Sequence, residues 1–200
     1  MTAVMAETGW NWDALLRAWQ QLDLPDGWRA EIGEEGITMA PPPPKPHNRI
    51  AAILHRALVQ RTTPEWDACE TLGVSVPSIG SLYIPDLAVV PVASLLAGEE
   101  NDPVPASDLS LVVEITSASN ARRDRMTKRW GYAHAPVPLY LLIDRWDTGG
   151  PAVTLFSQPE GGDYRRSERV PFGEPIIIPA PFDLRLETAE FPAPERSRNL

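Results

Sequence analysis

Leu109-Ser110-Leu111-Val112-Val113-Glu114-Ile115 is followed by Ser117-Ala118-Ser119-Asn120, a polar segment from Ala121, and Pro138-Leu139-Tyr140-Leu141-Leu142-Ile143-Asp144. Short apolar runs of this kind read as buried strands. The Ser/Asn cluster is a turn that also offers an N-cap, predicting a helix from Ala121 to about Ala133. Strand, helix, strand is a crossover unit, so its two strands run parallel. Strand pairs elsewhere are expected to be antiparallel, which makes the chain a mixed α/β sheet flanked by helices. Glu114 stands inside the first run, where a carboxylate is costly unless something positive meets it.

A second acid occupies a similar place upstream, Asp86 in Ile84-Pro85-Asp86-Leu87-Ala88-Val89-Val90. Before it, a first helix is expected from Asn11 or Asp13 to about Leu22. A strand pair, Trp28–Ile32 with Gly36–Met39, precedes a stiff run at Pro41–Pro44. A second helix over Pro46–Gln60 carries Ile50, Ile53, Leu54, Ala57 and Leu58 as its apolar stripe. Residues 66–76 read as one strand, and Leu95–Asp108 as a loop with a helical turn near Leu95. Val153–Ser157, Tyr164–Val170 and Pro175–Ile178 look like a C-terminal β meander. The division is an N-terminal helix and turn over 1–27, a single domain over 28–189, and a loose tail over 190–200.

Composition narrows the class. A chain of 200 residues with 43% hydrophobic and 22% charged positions suits one soluble domain. One cysteine excludes an internal disulfide, and histidines 47, 55 and 134 are too scattered for structural zinc. No signal-peptide pattern or bilayer-length apolar run is visible, so the expected location is cytoplasmic, away from membranes. The net charge of −9 counts against easy nucleic-acid binding. Residues 122–129 depart from that balance, with Arg122, Arg123, Arg125, Lys128 and Arg129 against Asp124.

Lys128 is one of only two lysines, and it follows Glu114 on the expected helix. A divalent cation between Asp86 and Glu114, with Lys128 beside it, would satisfy both carboxylates. Each residue also has a plainer reading. Asp86 caps a turn, Glu114 sits in a buried salt bridge, and Lys128 pairs with Asp124 one helical turn away.

Taken in order, the residues resemble a known family. They are Met39-Ala40-Pro41-Pro42-Pro43 with His47, Pro85-Asp86, Val112-Val113-Glu114-Ile115-Thr116-Ser117, then Asp124, Lys128 and Tyr132, and Tyr140-Leu141-Leu142-Ile143-Asp144. The set is similar to the Uma-two family within the PD-(D/E)xK nuclease superfamily, over roughly residues 28 to 185. The resemblance implies a restriction-endonuclease-like fold and a Mg²⁺-dependent (or Mn²⁺-dependent) endonuclease acting on DNA, commonly as a homodimer. It assigns Asp86, Glu114 and the Ile115 carbonyl to the metal, with Lys128 as the catalytic lysine. Thr116 stands where the superfamily places its lysine, and the resemblance moves that role to Lys128. Glu31, His47 and Asp124 are auxiliary candidates, beside the alternatives of a solvated strand end, a helix cap and an ion pair. Arg122, Arg125 and Arg129 share a helical stripe able to grip phosphates, or form a solvated face. Tyr132 is expected to pack on the sheet. Two other functions remain open: a catalytically inactive nuclease-fold module used for binding or assembly, and a hydrolase for a small phosphate ester.

Overall fold

In the computed structural model, which describes residues 11–194, the chain begins with helix α1 (Trp12–Gln20). The Asn11 side chain caps it by accepting from the Asp13 amide at 3.0 Å. Its apolar face of Trp12, Leu15, Leu16 and Trp19 packs against Ile32, Leu82 and Ile84. Strands β1 (Arg29–Gly33) and β2 (Gly36–Ala40) form a hairpin. Helix α2 (Lys45–Val59) then buries His47, Ile50, Ala51, Leu54 and Leu58, spaced for one helical face. Ile50, Leu54 and Leu58 are fully buried, each contributing roughly 1.5–3 kcal/mol of apolar transfer.

Next come β3 (Trp66–Cys69), β4 (Val74–Val76), β5 (Ser81–Tyr83) and β6 (Leu87–Pro91), then the short helix α3 (Val92–Leu95). Strand β7 (Val104–Pro105) precedes β8 (Leu111–Ile115). Three abutting helical segments, Ala121–Arg123, Asp124–Lys128 and Arg129–His134, make one helix over 121–134, here α4. Its middle segment is a π-helical turn. Strands β9 (Leu139–Asp144), β10 (Ala152–Glu160), β11 (Asp163–Pro171), β12 (Ile176–Ile178) and β13 (Leu184–Leu186) complete the fold.

Two larger sheets result, in the orders β2-β1-β5-β4-β7 and β11-β10-β9-β8-β6-β3, with β12 and β13 as a separate pair. The crossover through α4 makes β8 and β9 parallel, with Glu114 opposite Leu142. Side chains alternate across β8. Leu111, Val113 and Ile115 enter the core beneath α2, while Val112 enters the core shared with Tyr132 and Ala133 of α4. Glu114 has the parity of Val112 and is therefore delivered to the α4 side. Between β5 and β6 the chain leaves one sheet for the other through Ile84-Pro85-Asp86. Proline, lacking an amide donor, suits that break in the ladder.

Several sequence expectations need correction. Residues 66–76 are two strands in different sheets, because the chain turns at 70–73. The loop read over 95–108 contains β7, which pairs parallel to β4 through Val74 and Val104. Strand β13 was not anticipated, since three residues carry too little periodicity. The C-terminal meander is divided, with β10 and β11 extending the six-stranded sheet and β12 pairing with β13. Residues 191 and 192, drawn as part of the loose tail from 190, are docked on the domain. Phe191 is buried edge-on to Phe172, and Arg145 donates to the Pro192 carbonyl at 3.2 Å. Residues 1–10 and 195–200 of the expected end segments lie outside the described residues. Among the described residues no helix is long and apolar enough to cross a membrane.

Candidate active site

The break at Asp86, the end of β8 and the π turn of α4 meet at one cavity of about 130 Å³. Asp86, Glu114, Asp124 and Lys128 all line it, although they come from three separate elements. The catalytic trio expected from the sequence is thus brought together.

Asp86 is held by three donors. Arg29 Nη1 donates to Oδ1 at 2.8 Å, and the Ile115 amide donates to Oδ2 at 2.7 Å. His47 Nε2 lies 3.0 Å from the same Oδ2. Since α2 carries His47 and β1 carries Arg29, this aspartate ties both elements to β8. Amide and carbonyl of one strand residue point to the same side. The Ile115 carbonyl therefore faces the Asp86 edge.

Glu114 lines the same cavity. Its Oε1 accepts from Lys128 Nζ at 2.9 Å and from Tyr132 Oη at 2.8 Å. Lys128 also lies 2.8 Å from Glu31 Oε1 and 3.8 Å from Asp124 Oδ1. Glu31 in turn accepts from the Ile84 amide at 2.8 Å and pairs with Arg123 at 2.8 Å. Both ion-pair readings of the sequence are present, and a buried network contains them. Asp124 differs from its neighbours, since both carboxylate oxygens are buried with no hydrogen-bond partner. The Tyr140 hydroxyl donates to its backbone carbonyl at 2.9 Å, fixing the widened turn.

The basic stripe is dispersed. Arg122 is exposed, Arg125 forks onto Asp144 at 2.6 and 2.8 Å, and Arg129 lies 3.5 Å from Asp163. Thr116, at the superfamily lysine position, donates to Asp144 at 3.2 Å and accepts from the Arg145 amide at 3.0 Å. Three groups escaped the sequence reading: Arg29, Arg123 and the Tyr132 hydroxyl. Arg29 had a local signal, because it shares a strand face with Glu31 two residues on. Arg123 had none. Tyr132 does pack, edge-on to Tyr83 at 5.2 Å, and it also donates.

The sequence profile of the Uma2 family, "Putative restriction endonuclease", matches residues 16–189. The chain belongs to the Uma2 family. Its fold is similar to the crystal structure of a putative nuclease belonging to DUF820 from Anabaena variabilis ATCC 29413. The TM-score is 0.65 at 17% identity, covering 88% of this chain and 96% of that one. No curated protein matches.

In this Uma2 chain the pocket crowds acidic and basic groups together. Four carboxylates (Glu31, Asp86, Glu114, Asp124) face three permanent cations (Arg29, Arg123, Lys128). Burial pushes Glu114 well above the usual carboxylate range, with Lys128 opposing and the neighbouring acids reinforcing the rise. Burial likewise drives Asp124 up to about 6. Burial would raise Asp86 too, but the hydrogen bonds and charges of His47 and Arg29 outweigh it and lower its pKa. Glu31 is lowered against burial by Lys128, Arg123 and its hydrogen bonds. Burial disfavours the charge on Lys128, yet Glu114, Glu31 and Asp124 overcome this and hold it as an ammonium.

Among the described residues, no three acidic, histidine or cysteine side chains are already grouped as a metal cluster. Mg²⁺ commonly takes only one or two carboxylates and keeps several waters. The oxygen-only donor set and the unpartnered oxygens of Asp124 suit such a hard cation.

Proposed function

We propose that this Uma2 protein is a divalent-metal-dependent nuclease that hydrolyses phosphodiester bonds in DNA. One observation carries the reading: Asp86, Glu114 and Lys128, from a sheet crossover, a strand and a helix, converge on one charged cavity. Asp86 and Glu114 would hold the cation, with the Ile115 carbonyl as a further oxygen. When bound, Mg²⁺ or Mn²⁺ would supply Lewis-acid charge at the phosphate oxygens.

The remaining chemistry belongs to the chain. Asp86 already spends Oδ2 on the Ile115 amide and His47, so Oδ1 keeps the free lone pair. Arg29 and His47 position that carboxylate and keep it ionised. Lys128 is held charged, so it orients the attacking water and stabilises phosphate charge by donation. Tyr132 fixes Glu114 from behind. Glu31 and Arg123 hold Lys128 in place. Pairing of two copies, one site per strand, belongs to the same reading and is checked by light scattering.

The test is a cleavage assay on plasmid and linear DNA with Mg²⁺ or Mn²⁺. Wild type is expected to cleave only with the metal, and Glu114→Gln and Lys128→Ala to lose at least about a hundredfold. Equal residual activity in all three proteins would reject the assignment. A second reading, an inactive nuclease-fold module, is favoured by the commitment of Thr116 to Asp144 and by the net charge of −9. It predicts a folded wild type without calorimetric Mg²⁺ binding or cleavage.

A further inference from the structure

A second cavity, of about 450 Å³, adjoins the first, and Thr38 and Arg123 line both. Its walls also include Tyr83 and Trp130, while Glu34 and Glu35 of the β1–β2 turn form part of its rim. Trp130 is 45% exposed, although it lies on the same helix as Lys128. The imidazole of His134 stacks on one face of its indole, with centroids 5.2 Å apart. The indole lines the cavity, and Gly162 of the β10–β11 turn approaches its edge so closely that an added Cβ would stand 3.1 Å from Nε1.

Two features define the occupant. The two glutamates repel a phosphate but accept hydrogen bonds from the amino groups of bases. The indole offers a sequence-tolerant stacking surface, which any base can use through its π-face. Arg123, anchored to Glu31 at 2.8 Å and Thr38 at 3.3 Å, forms the divider between this aromatic chamber and the charged one. A phosphate on one side and a heterocycle on the other match successive parts of one nucleotide strand.

We infer that this second cavity is a subsite for an unpaired nucleobase next to the cleaved phosphate, stacked on Trp130. The substrate class is accordingly DNA with an unstacked base, such as a single strand, flap or frayed end, since a base within intact duplex is not free to enter. The inference rests on the nuclease reading and deepens it.

The test separates the two. Binding is measured with wild-type protein in EDTA, by anisotropy of a labelled single strand, the same strand with abasic sites, and a blunt duplex. The base-bearing strand is expected to bind roughly five- to a hundredfold more tightly than the abasic strand and the duplex. Trp130→Ala is expected to lose that preference and keep the abasic affinity, while Trp130→Phe retains most of it. A strand carrying 5-iodouracil should photo-crosslink to wild type at Trp130, a readout that needs no variant to fold. Equal affinity for base-bearing and abasic strands, no strand binding, or a crosslink elsewhere would each overturn the subsite. Metal-dependent cleavage without base preference rejects the subsite alone, and base-specific binding without cleavage rejects the nuclease reading alone.

Discussion

Asp124 holds a buried carboxyl with neither oxygen hydrogen-bonded, and that has a measurable cost. Burial raises its pKa from 3.8 to about 6, so between those values the folded protein keeps a proton that the unfolded chain releases. Stability from this group is complete below pH 3.8 and is lost as pH rises through about 6. In metal-free buffer, Asp124→Asn should therefore raise stability at pH 7.5 by up to about 3 kcal/mol and change little near pH 4. Urea denaturation at the two pH values checks this, and a destabilised variant at pH 7.5 would contradict it. Tyr132 has the opposite character. Its hydroxyl donates to Glu114 from full burial, so Tyr132→Phe leaves a buried carboxyl oxygen short of one donor. The expected loss is about 2 kcal/mol, again read by urea denaturation. Neither effect was legible beforehand, because a single aspartate or tyrosine in a string of letters carries no mark of its partners.

Helix α4 decides whether the acids and the lysine meet. Its position depends on Gly131, where an added Cβ would stand 2.6 Å from Tyr83 Oη and 2.9 Å from a ring carbon. A helical Gly→Ala change ordinarily stabilises by up to about 1 kcal/mol. Here the helix or Tyr83 has to move, so Gly131→Ala should instead cost about 1–3 kcal/mol. It should also lower cleavage, because Lys128 lies one turn away on the displaced segment. Thermal melts of Gly131→Ala, alone and combined with Tyr83→Leu, give the readout, and the second change should recover much of the loss. The helix itself was readable from its place between two apolar strands, although Asn120 at its start makes no side-chain cap and accepts from Ser117 instead. Its π turn was not, since the widening is stabilised through Tyr140, a residue of the next strand. That turn is also where the predicted arginine stripe gives way to separate pairings with Asp144 and Asp163.

Across the whole molecule, the site lies at the seam of two sheets, and a cation there would bind the native state alone. At a hundredfold excess over Kd such binding adds about 2.7 kcal/mol. For a chain of this size that raises Tm by roughly 5–10 °C. Calorimetric scans with and without Mg²⁺ should show the shift in wild type and none in Asp86→Asn or Glu114→Gln. An equal shift in all three would place the cation elsewhere. The α/β class, the crossover unit and the ordered acids and lysine were legible in the residue order, because periodicity, capping and side-chain chemistry are local properties. The pairing of β7 with β4, the docking of Phe191, and the contacts of Asp86 with Arg29 and His47 came only with folding. Each joins positions 19 to 57 residues apart. A contact of that span costs loop-closure entropy and is repaid by packing that no nearby residues encode.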